Sequence, residues 1–304
     1  MKSINKFQLK YFIIFFLIIG CFSTPKVFFK EPVDTKTKKI SFEKKRVFSF
    51  NESGVYFSNK FEGARLNNVN QLNDSTYILS ILPENKPIND SPYYAFKIWS
   101  SSSKKVLLKF QYPKNFKHRY IPKIKSNGIW KTADSLNFKF DDNLSSLTIK
   151  INDNPKIISG QELHTSSIVY KWVDQLISGK ESYIKFKEIG KTKLNRPFKV
   201  LDIYKGFPKN KPVIVILTRQ HPPEVTGYFA FKVFLKTILK ENKLSSIFLD
   251  KYRILAFPLM NPDGVDLGHW RHNAGGVDTN RDWSFYHQPE IKATVQYITK
   301  VLKK

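Results

Sequence analysis

The stretch TRQHPPEVTGYFAFKVFL, residues 218–235, constrains this chain more than any other. It continues from PVIVILT (212–218), a nearly unbroken apolar run of the kind found in a strand buried on both faces. Pro222 and Pro223 then lead into a helix whose apolar face is Phe231, Phe234, Leu235, Ile238 and Leu239. His221 closes the strand-end loop, and Glu224 is expected just inside the helix, so an imidazole and a carboxylate turn toward one point. Such nitrogen and oxygen donors suit zinc, and a catalytic zinc takes three protein ligands and a water. An H-x-x-E pair alone arises by chance; its place behind an apolar strand gives it weight.

A second apolar segment, RILAFPL (253–259), is read as another buried strand, running into the turn Asn261-Pro-Asp-Gly264. Strand, helix, strand in this order implies a parallel pair with a crossover helix, and in such sheets sites form at the carboxyl ends of the strands. Both candidate motifs lie there. The second, NPDGVDLGHWRHNAGGVDTNRDW (261–283), carries Arg271, suited to an oxyanion that develops when metal-bound water attacks a carbonyl. Asn280 and Arg281 add an amide donor beside a guanidinium fork, suited to a substrate carboxylate. Upstream, TSSIVYKWVDQLIS (165–178) is a helix with Val169, Trp172, Val173, Leu176 and Ile177 on one face and Gly179 as its stop. SYIKFKEIG and FKVLDIYKG follow as strands around a turn at 193–197.

The front of the chain is of another character. Residues 1–20 join a basic start, Lys2, Lys6 and Lys10, to an apolar run too short for a comfortable membrane span, as in an export signal. The run ends at Ile18-Ile19-Gly20-Cys21, which resembles a bacterial lipobox. Cys21, the only cysteine of the chain, is therefore expected to carry acyl chains that hold the protein on a membrane surface. The expected location is exported and membrane-anchored, facing the periplasm or cell surface of a bacterium. Residues 21–44 read as a basic linker. From 45 to 155, short alternating segments such as GVYFS, STYILSIL, KVLLKF and SLTIKI recur between NESG, LNDS, ENKPIND and KSNG turns, indicating an antiparallel sandwich. Its aromatics, among them Tyr93, Tyr94, Trp99 and Trp130, suit packing better than carbohydrate binding. The net charge of +26 comes from lysines scattered along the whole length. With no nucleic-acid motif beside it, this charge reads as a solvated basic surface, and no nucleic-acid partner is expected.

From about 165 to 304 the chain resembles the zinc metallocarboxypeptidases of the pancreatic carboxypeptidase A and B type. EIGKTKLNRPFKVLDI is similar to that family's early iGkS-x-x-GRP hairpin. HPPE is similar to its H-x-x-E ligand pair, and NPDG followed by WRHNAGGVDTNRDW to its arginine and asparagine–arginine region. Within the family the likeness is greatest to the cytosolic-carboxypeptidase-like branch, whose members carry a β-sandwich ahead of the catalytic domain; FSNKFEGARLNNV and SPYYAFKIW resemble that sandwich.

The resemblance implies an α/β carboxypeptidase-like mixed sheet with crossover helices over 160–304, preceded by an all-β sandwich. It makes His221 and Glu224 ligands of Zn2+ and Arg271 the catalytic contact to the carbonyl. Asn280 and Arg281 become, with Arg271, the substrate-binding set, and Asp278 the acid that orients the first zinc histidine. The implied reaction is hydrolysis, by metal-activated water, of the peptide bond next to a free C-terminal carboxylate of a peptide or protein. In that family a third zinc ligand, a histidine, and a glutamate general base lie well downstream of the asparagine–arginine pair. No residue after Arg281 matches either pattern, and neither role is assigned to His269, His272, His287 or Glu290. The chain is thus expected to be the front part of such an enzyme. A cell-wall peptide amidase of the same fold is a close variant. The reading from another class is an inactive surface lipoprotein that binds peptide or glycan.

Overall fold

The computed structural model describes residues 33–141 and 144–303. The export signal and Cys21 lie outside them, and no helix among the described residues is long and apolar enough to cross a membrane. Eleven strands come first: β1 (Val47–Phe50), β2 (Val55–Ser58), β3 (Asn68–Asn73), β4 (Thr76–Ser80), β5 (Ala95–Ser100), β6 (Lys104–Gln111), β7 (Lys123–Ser126), β8 (Ile129–Thr132), β9 (Phe138–Lys139), β10 (Ser146–Ile151) and β11 (Lys156–Ser159). They form a six-stranded sheet, β1-β2-β5-β11-β7-β8, and a five-stranded one, β3-β4-β6-β10-β9. Every pairing is antiparallel except β4 with β6. Alternation drives this: Val106, Leu108 and Phe110 of β6 and Leu147, Ile149 and Ile151 of β10 are buried in one core with Val55, Phe57 and Phe96 of the other sheet. In KSNG, Asn127 and Gly128 both take positive φ, the backbone that a two-residue hairpin requires.

Four strands carry weaker sequence signals. β3 is Asn-rich, β7 and β8 are four residues each and half-buried to exposed, and β11 lies beyond residue 155, yet pairs with both β5 and β7. Tyr93 and Tyr94 are buried, and Trp99 stacks on Tyr56 at 5.5 Å. The stretch 35–41, read as linker, is held to the fold. Lys38 N–H donates to the Gly275 carbonyl at 2.7 Å, Ser41 N–H to that of Glu84 at 2.7 Å, and Thr35 is buried. Backbone hydrogen bonds fix these residues where the sequence shows no periodicity to announce it.

The second sheet system begins after helix α1 (Ser166–Ile177), which Gly179 ends at φ +76. Strands β12 (Ile184–Lys191), β13 (Pro197–Ile203), β14 (Val213–Leu217) and β15 (Arg253–Phe257) form a mixed sheet ordered β12-β13-β15-β14. Only β14 and β15 are parallel, joined through helices α2 (Val225–Ile238) and α3 (Lys243–Lys251). Each strand serves two cores. Leu201, Ile203, Ile254 and Ala256 meet α1 and α2 on one face; Phe198, Val200, Leu255 and Phe257 meet α5 (Pro289–Leu302) on the other. β15 is the buried strand its sequence implies, but β14 is not. Among the described residues it stands at the sheet edge with Val215 38% exposed, although Ile214 and Ile216 face one core and Val213 and Leu217 the other. The apolar run reports two covered faces and is silent about an open edge.

The turn expected at Asn261-Pro-Asp-Gly264 is instead the short helix α4 (Pro262–Asp266), capped by the Asn261 side chain, which accepts the Gly264 N–H at 2.9 Å. Arg196 of the β12–β13 turn pairs with Asp263 at 3.0 Å and Asp266 at 2.8 Å, fixing α4 against that hairpin. Trp270, a few residues on, is fully buried in the core of the sandwich. Residues from Thr35 onward thus make one compact unit. Trp270→Ala is expected to lower unfolding stability by about 3–5 kcal/mol in one cooperative transition, followed in urea by circular dichroism and tryptophan fluorescence. Separate transitions for the two sheet systems would contradict the shared core.

Candidate metal centre

Because β14 and β15 are parallel, both sequence motifs leave the sheet at the same end, the carboxyl ends of the strands. Pairing runs on past the strands: Thr218 N–H donates to Phe257 O at 3.2 Å and Met260 N–H to Thr218 O at 3.0 Å. Arg219 then takes φ +61, a conformation rare for a residue with a Cβ, and turns the chain abruptly. Its buried guanidinium holds the turn by donating from Nε and Nη2 to Pro222 O at 3.1 and 2.7 Å and from Nη1 to His164 O at 3.2 Å. Helix α2 starts only at Val225, with Glu224 at its N-cap position rather than inside it. The cause is the proline pair: residues preceding proline are pushed out of the helical region, so His221 and Pro222 cannot join the helix.

His221 is buried, while the Glu224 side chain is 55% exposed. His221 Nδ1 lies 2.7 Å from Glu224 Oε1, and Nε2 lies 2.8 Å from Asp278 Oδ1. The other oxygen of Asp278 accepts Arg271 Nε at 2.8 Å, and Oδ1 also accepts the backbone N–H of Asn280 at 2.9 Å. Burial opposes ionisation of Asp278, but the hydrogen bond and charge of His221, with the Arg271 guanidinium, outweigh it. They hold the carboxyl well below the usual carboxylate range. Burial likewise opposes the charged form of His221, and its bonds to Asp278 and Glu224 overcome this and raise its pKa. Glu224 is lowered, burial again being outweighed by His221.

An imidazole between two carboxylate oxygens must donate from both nitrogens or share a cation with one of them. Asp278 takes the Nε2 proton, so a divalent cation on Nδ1 and Glu224 would do the work that the second proton does here. His221 and Glu224 therefore fit two of the three protein positions of a catalytic zinc. No group of three or more His, Cys, Asp or Glu side chains able to hold a metal is gathered among the described residues. The nearby histidines are engaged elsewhere. His269 Nδ1 meets His272 O at 2.9 Å, His272 Nδ1 meets Asn85 Oδ1 at 2.6 Å, and His287 Nδ1 meets Thr35 Oγ1 at 3.0 Å.

Asn280 and Arg281 occupy a 3-10 turn, Thr279–Arg281, and are exposed. Gln220 Nε2 donates to Asn280 Oδ1 at 3.4 Å; among the described residues the Asn280 amide N–H groups have no acceptor and the Arg281 side chain bonds only the Asn280 carbonyl, at 3.4 Å. Sequence reasoning missed Gln220, whose carbonyl accepts from Asn261 and Thr279 and whose side chain accepts Trp283 Nε1 at 2.9 Å. It also missed Glu84, in the sandwich, which holds the backbone of Trp270, Arg271 and His272. Gln220 is flagged only by its place beside His221. Glu84 carries no local signal, for ENKPIND reads as turn chemistry.

A mixed sheet with a histidine–glutamate pair at the carboxyl ends of its parallel strands defines an α/β fold with a metal-type donor set. Residues 169–299 match the model of the zinc carboxypeptidase family, a family whose metal is zinc. Cytosolic carboxypeptidase 2 of Xenopus tropicalis is 36% identical over 73 residues, 24% of this chain and 8% of that protein. Cytosolic carboxypeptidase 3 of Mus musculus is 21% identical over 285 residues, covering 83% of this chain and 28% of that protein. The chain spans less than a third of the length of these curated relatives. Its fold is similar to that of a metallo-carboxypeptidase from Burkholderia cenocepacia, with TM-score 0.70 and 16% identity over 81% of this chain and 67% of that one. A metallo-carboxypeptidase from Pseudomonas aeruginosa gives TM-score 0.67 and 16% identity over 80% and 66%. The architecture is thus the carboxypeptidase-like α/β fold with a strand-rich region before it.

Glu290, at the start of α5, lies fully buried beneath this loop. Asn273 Nδ2 donates to its Oε2 at 3.1 Å, and its Oε1 has no hydrogen-bond partner among the described residues. Burial pushes its carboxyl from the ordinary 4.5 up to about 7. The folded state therefore holds the proton more tightly than the unfolded chain. The stability this gives is complete below about pH 4.5 and is lost as pH rises to about 7. That loss is on the order of 3 kcal/mol. Urea midpoints measured across this range are expected to fall less steeply in Glu290→Gln than in the parent; parallel curves would contradict the assignment.

Proposed function

We propose that the protein is a zinc-dependent carboxypeptidase acting on peptides or proteins with a free C-terminal carboxylate. The observation that carries this is Asp278. Its two oxygens hydrogen-bond His221 Nε2 at 2.8 Å and Arg271 Nε at 2.8 Å, fixing a metal ligand and a carbonyl-binding cation relative to each other. His221 Nδ1 and Glu224 would hold two positions of a zinc ion, which would supply Lewis acidity toward the scissile carbonyl and a water of lowered pKa. Arg271 donates to the carbonyl oxygen as negative charge develops there. Asn280 and Arg281, exposed and free to donate, grip the terminal carboxylate. The third zinc ligand and the general base are assigned to none of the described residues. We also take Cys21 to carry the lipid anchor of an exported protein on a bacterial membrane surface, a reading supported by Ile18-Ile19-Gly20-Cys21; labelling of the protein with palmitate, lost in Cys21→Ser, is its test.

One observation favours a second reading. The exposed Asn280 and Arg281 would hold a terminal carboxylate equally well in a non-catalytic surface protein that binds peptide or glycan. Turnover separates the two. With added zinc, the purified protein is expected to release C-terminal residues from a mixed peptide pool and to spare C-terminally amidated peptides. His221→Ala should abolish release, and Arg281→Ala should lower kcat/KM by roughly tenfold to a hundredfold, the effect of losing hydrogen bonds to a charged group. No release from any peptide, unchanged in His221→Ala, would sink the enzyme reading.

A further inference from the structure

Arg271 belongs to a loop without regular structure, and Arg271, His272 and Asn273 lie between half-buried and buried. Buried backbone N–H groups in such a loop need acceptors. The acceptor here comes from 186 residues earlier in the chain. Glu84, in the connection between β4 and β5 of the sandwich, is fully buried. Its Oε2 accepts the Trp270 N–H at 2.8 Å, and its Oε1 accepts those of Arg271 at 3.0 Å and His272 at 2.7 Å. Three consecutive N–H groups converging on one carboxylate form an anion nest, with the anion supplied by the protein itself. Neighbours reinforce the grip. Asn85 Nδ2 donates to Gly276 O at 3.0 Å, and Arg65 Nε donates to Gly268 O at 2.9 Å. Burial alone would favour neutral Glu84, but His269, Arg65 and the His272 N–H outweigh it and keep the carboxylate charged.

Beyond the backbone, the Arg271 side chain makes one hydrogen bond among the described residues, Nε to Asp278 Oδ2. Its guanidinium is therefore fixed at two points, by Glu84 through the main chain and by Asp278 at Nε. We propose that Glu84 is a positioning residue of the site: by receiving the N–H groups of Trp270, Arg271 and His272, it sets where the Arg271 guanidinium stands relative to His221. Its bearing on catalysis rests on the reading of Arg271 as the carbonyl contact. The sandwich thereby contributes to the site without touching substrate. Glutamine at position 84 keeps the shape but has one oxygen for three donors and turns an NH2 group toward at least one of them.

The test uses the full-length 15N-labelled chain and needs no turnover. The Arg271 Nε–H signal is assigned by its loss in Arg271→Lys. In Glu84→Gln this signal is expected to exchange with solvent at least tenfold faster, together with the amides of Trp270, Arg271 and His272, while those of β13 and β15 keep their rates. An unchanged Arg271 Nε–H signal, or an acceleration spread evenly over the mixed sheet, would overturn the proposal. Should Glu84→Gln fail to fold, Glu84→Asp, which keeps the charge and withdraws it by one methylene, carries the same comparison. In a protein that cleaves peptides, Glu84→Gln combined with Arg271→Ala should lower kcat/KM no further than Arg271→Ala alone. Multiplication of the two single effects would contradict action through Arg271. A parent chain that cleaves nothing defeats the carboxypeptidase reading and leaves the exchange comparison to decide the role of Glu84.

Discussion

Asp278 is where the two motifs become one site. A carboxylate has two oxygens with several acceptor positions, and here each is committed to a different partner: Oδ1 to His221 Nε2 and the Asn280 N–H, Oδ2 to Arg271 Nε. Hydrogen bonds to ionised groups are about twice as strong as neutral ones, and these side chains are largely buried, where water competes poorly. Without Asp278 the imidazole keeps its contact to Glu224 but loses the one that joins it to the loop carrying Arg271. The parallel pairing of β14 and β15 brings the loops together; one side chain between them fixes their geometry.

That geometry has a cost elsewhere in the fold. A loop running from Asn261 to Trp283 contains many backbone groups outside regular structure, and each buried one must find a partner. Asn261 caps α4, Asn273 Oδ1 accepts the N–H groups of Gly275 and Val277, Glu84 takes three more, and Lys38 donates to Gly275 O. Several of these partners come from residues 35–85. The sandwich core also accommodates Trp270, so the strand-rich region is structurally continuous with the loop that carries Arg271. A front region that merely preceded the mixed sheet would have no reason to bury a tryptophan from it.

Local chemistry made much of this legible. Period-two alternation marks β4, β6 and β10 because one face is core and the other solvent, and the α1 face reads directly from Val169 and Val173. The likeness of HPPE and of the 261–283 segment to a known family pointed to side chains of which the fold brings His221, Glu224, Asp278 and Arg271 into contact. What stayed hidden was non-local. β14 and β15 have nearly equal apolar content, yet one is central and the other an edge, because strand order depends on partners rather than composition. The late start of α2 follows from a proline pair whose steric effect acts on the residue before it. Glu84 is one of 25 acidic residues in a basic chain, and nothing beside it in sequence tells that its oxygens face Trp270.

The bonds that organise the site are all made within the protein, and this bears on what the metal is asked to do. In a structural zinc site the ion supplies the folding energy and its ligands are disordered without it. Here His221 is oriented by Asp278, Asp278 by Arg271, and Arg271 at its backbone by Glu84, so burial and hydrogen bonding carry much of the ordering cost. Rigid support of this sort is what catalysis needs, since an electrostatic contact misplaced by an ångström loses most of its effect. It is also what peptide recognition without turnover needs. On the proposed reading, Arg271, Asn280 and Arg281 would serve recognition of a carboxylate-bearing ligand, and His221 and Glu224 the chemistry performed on it.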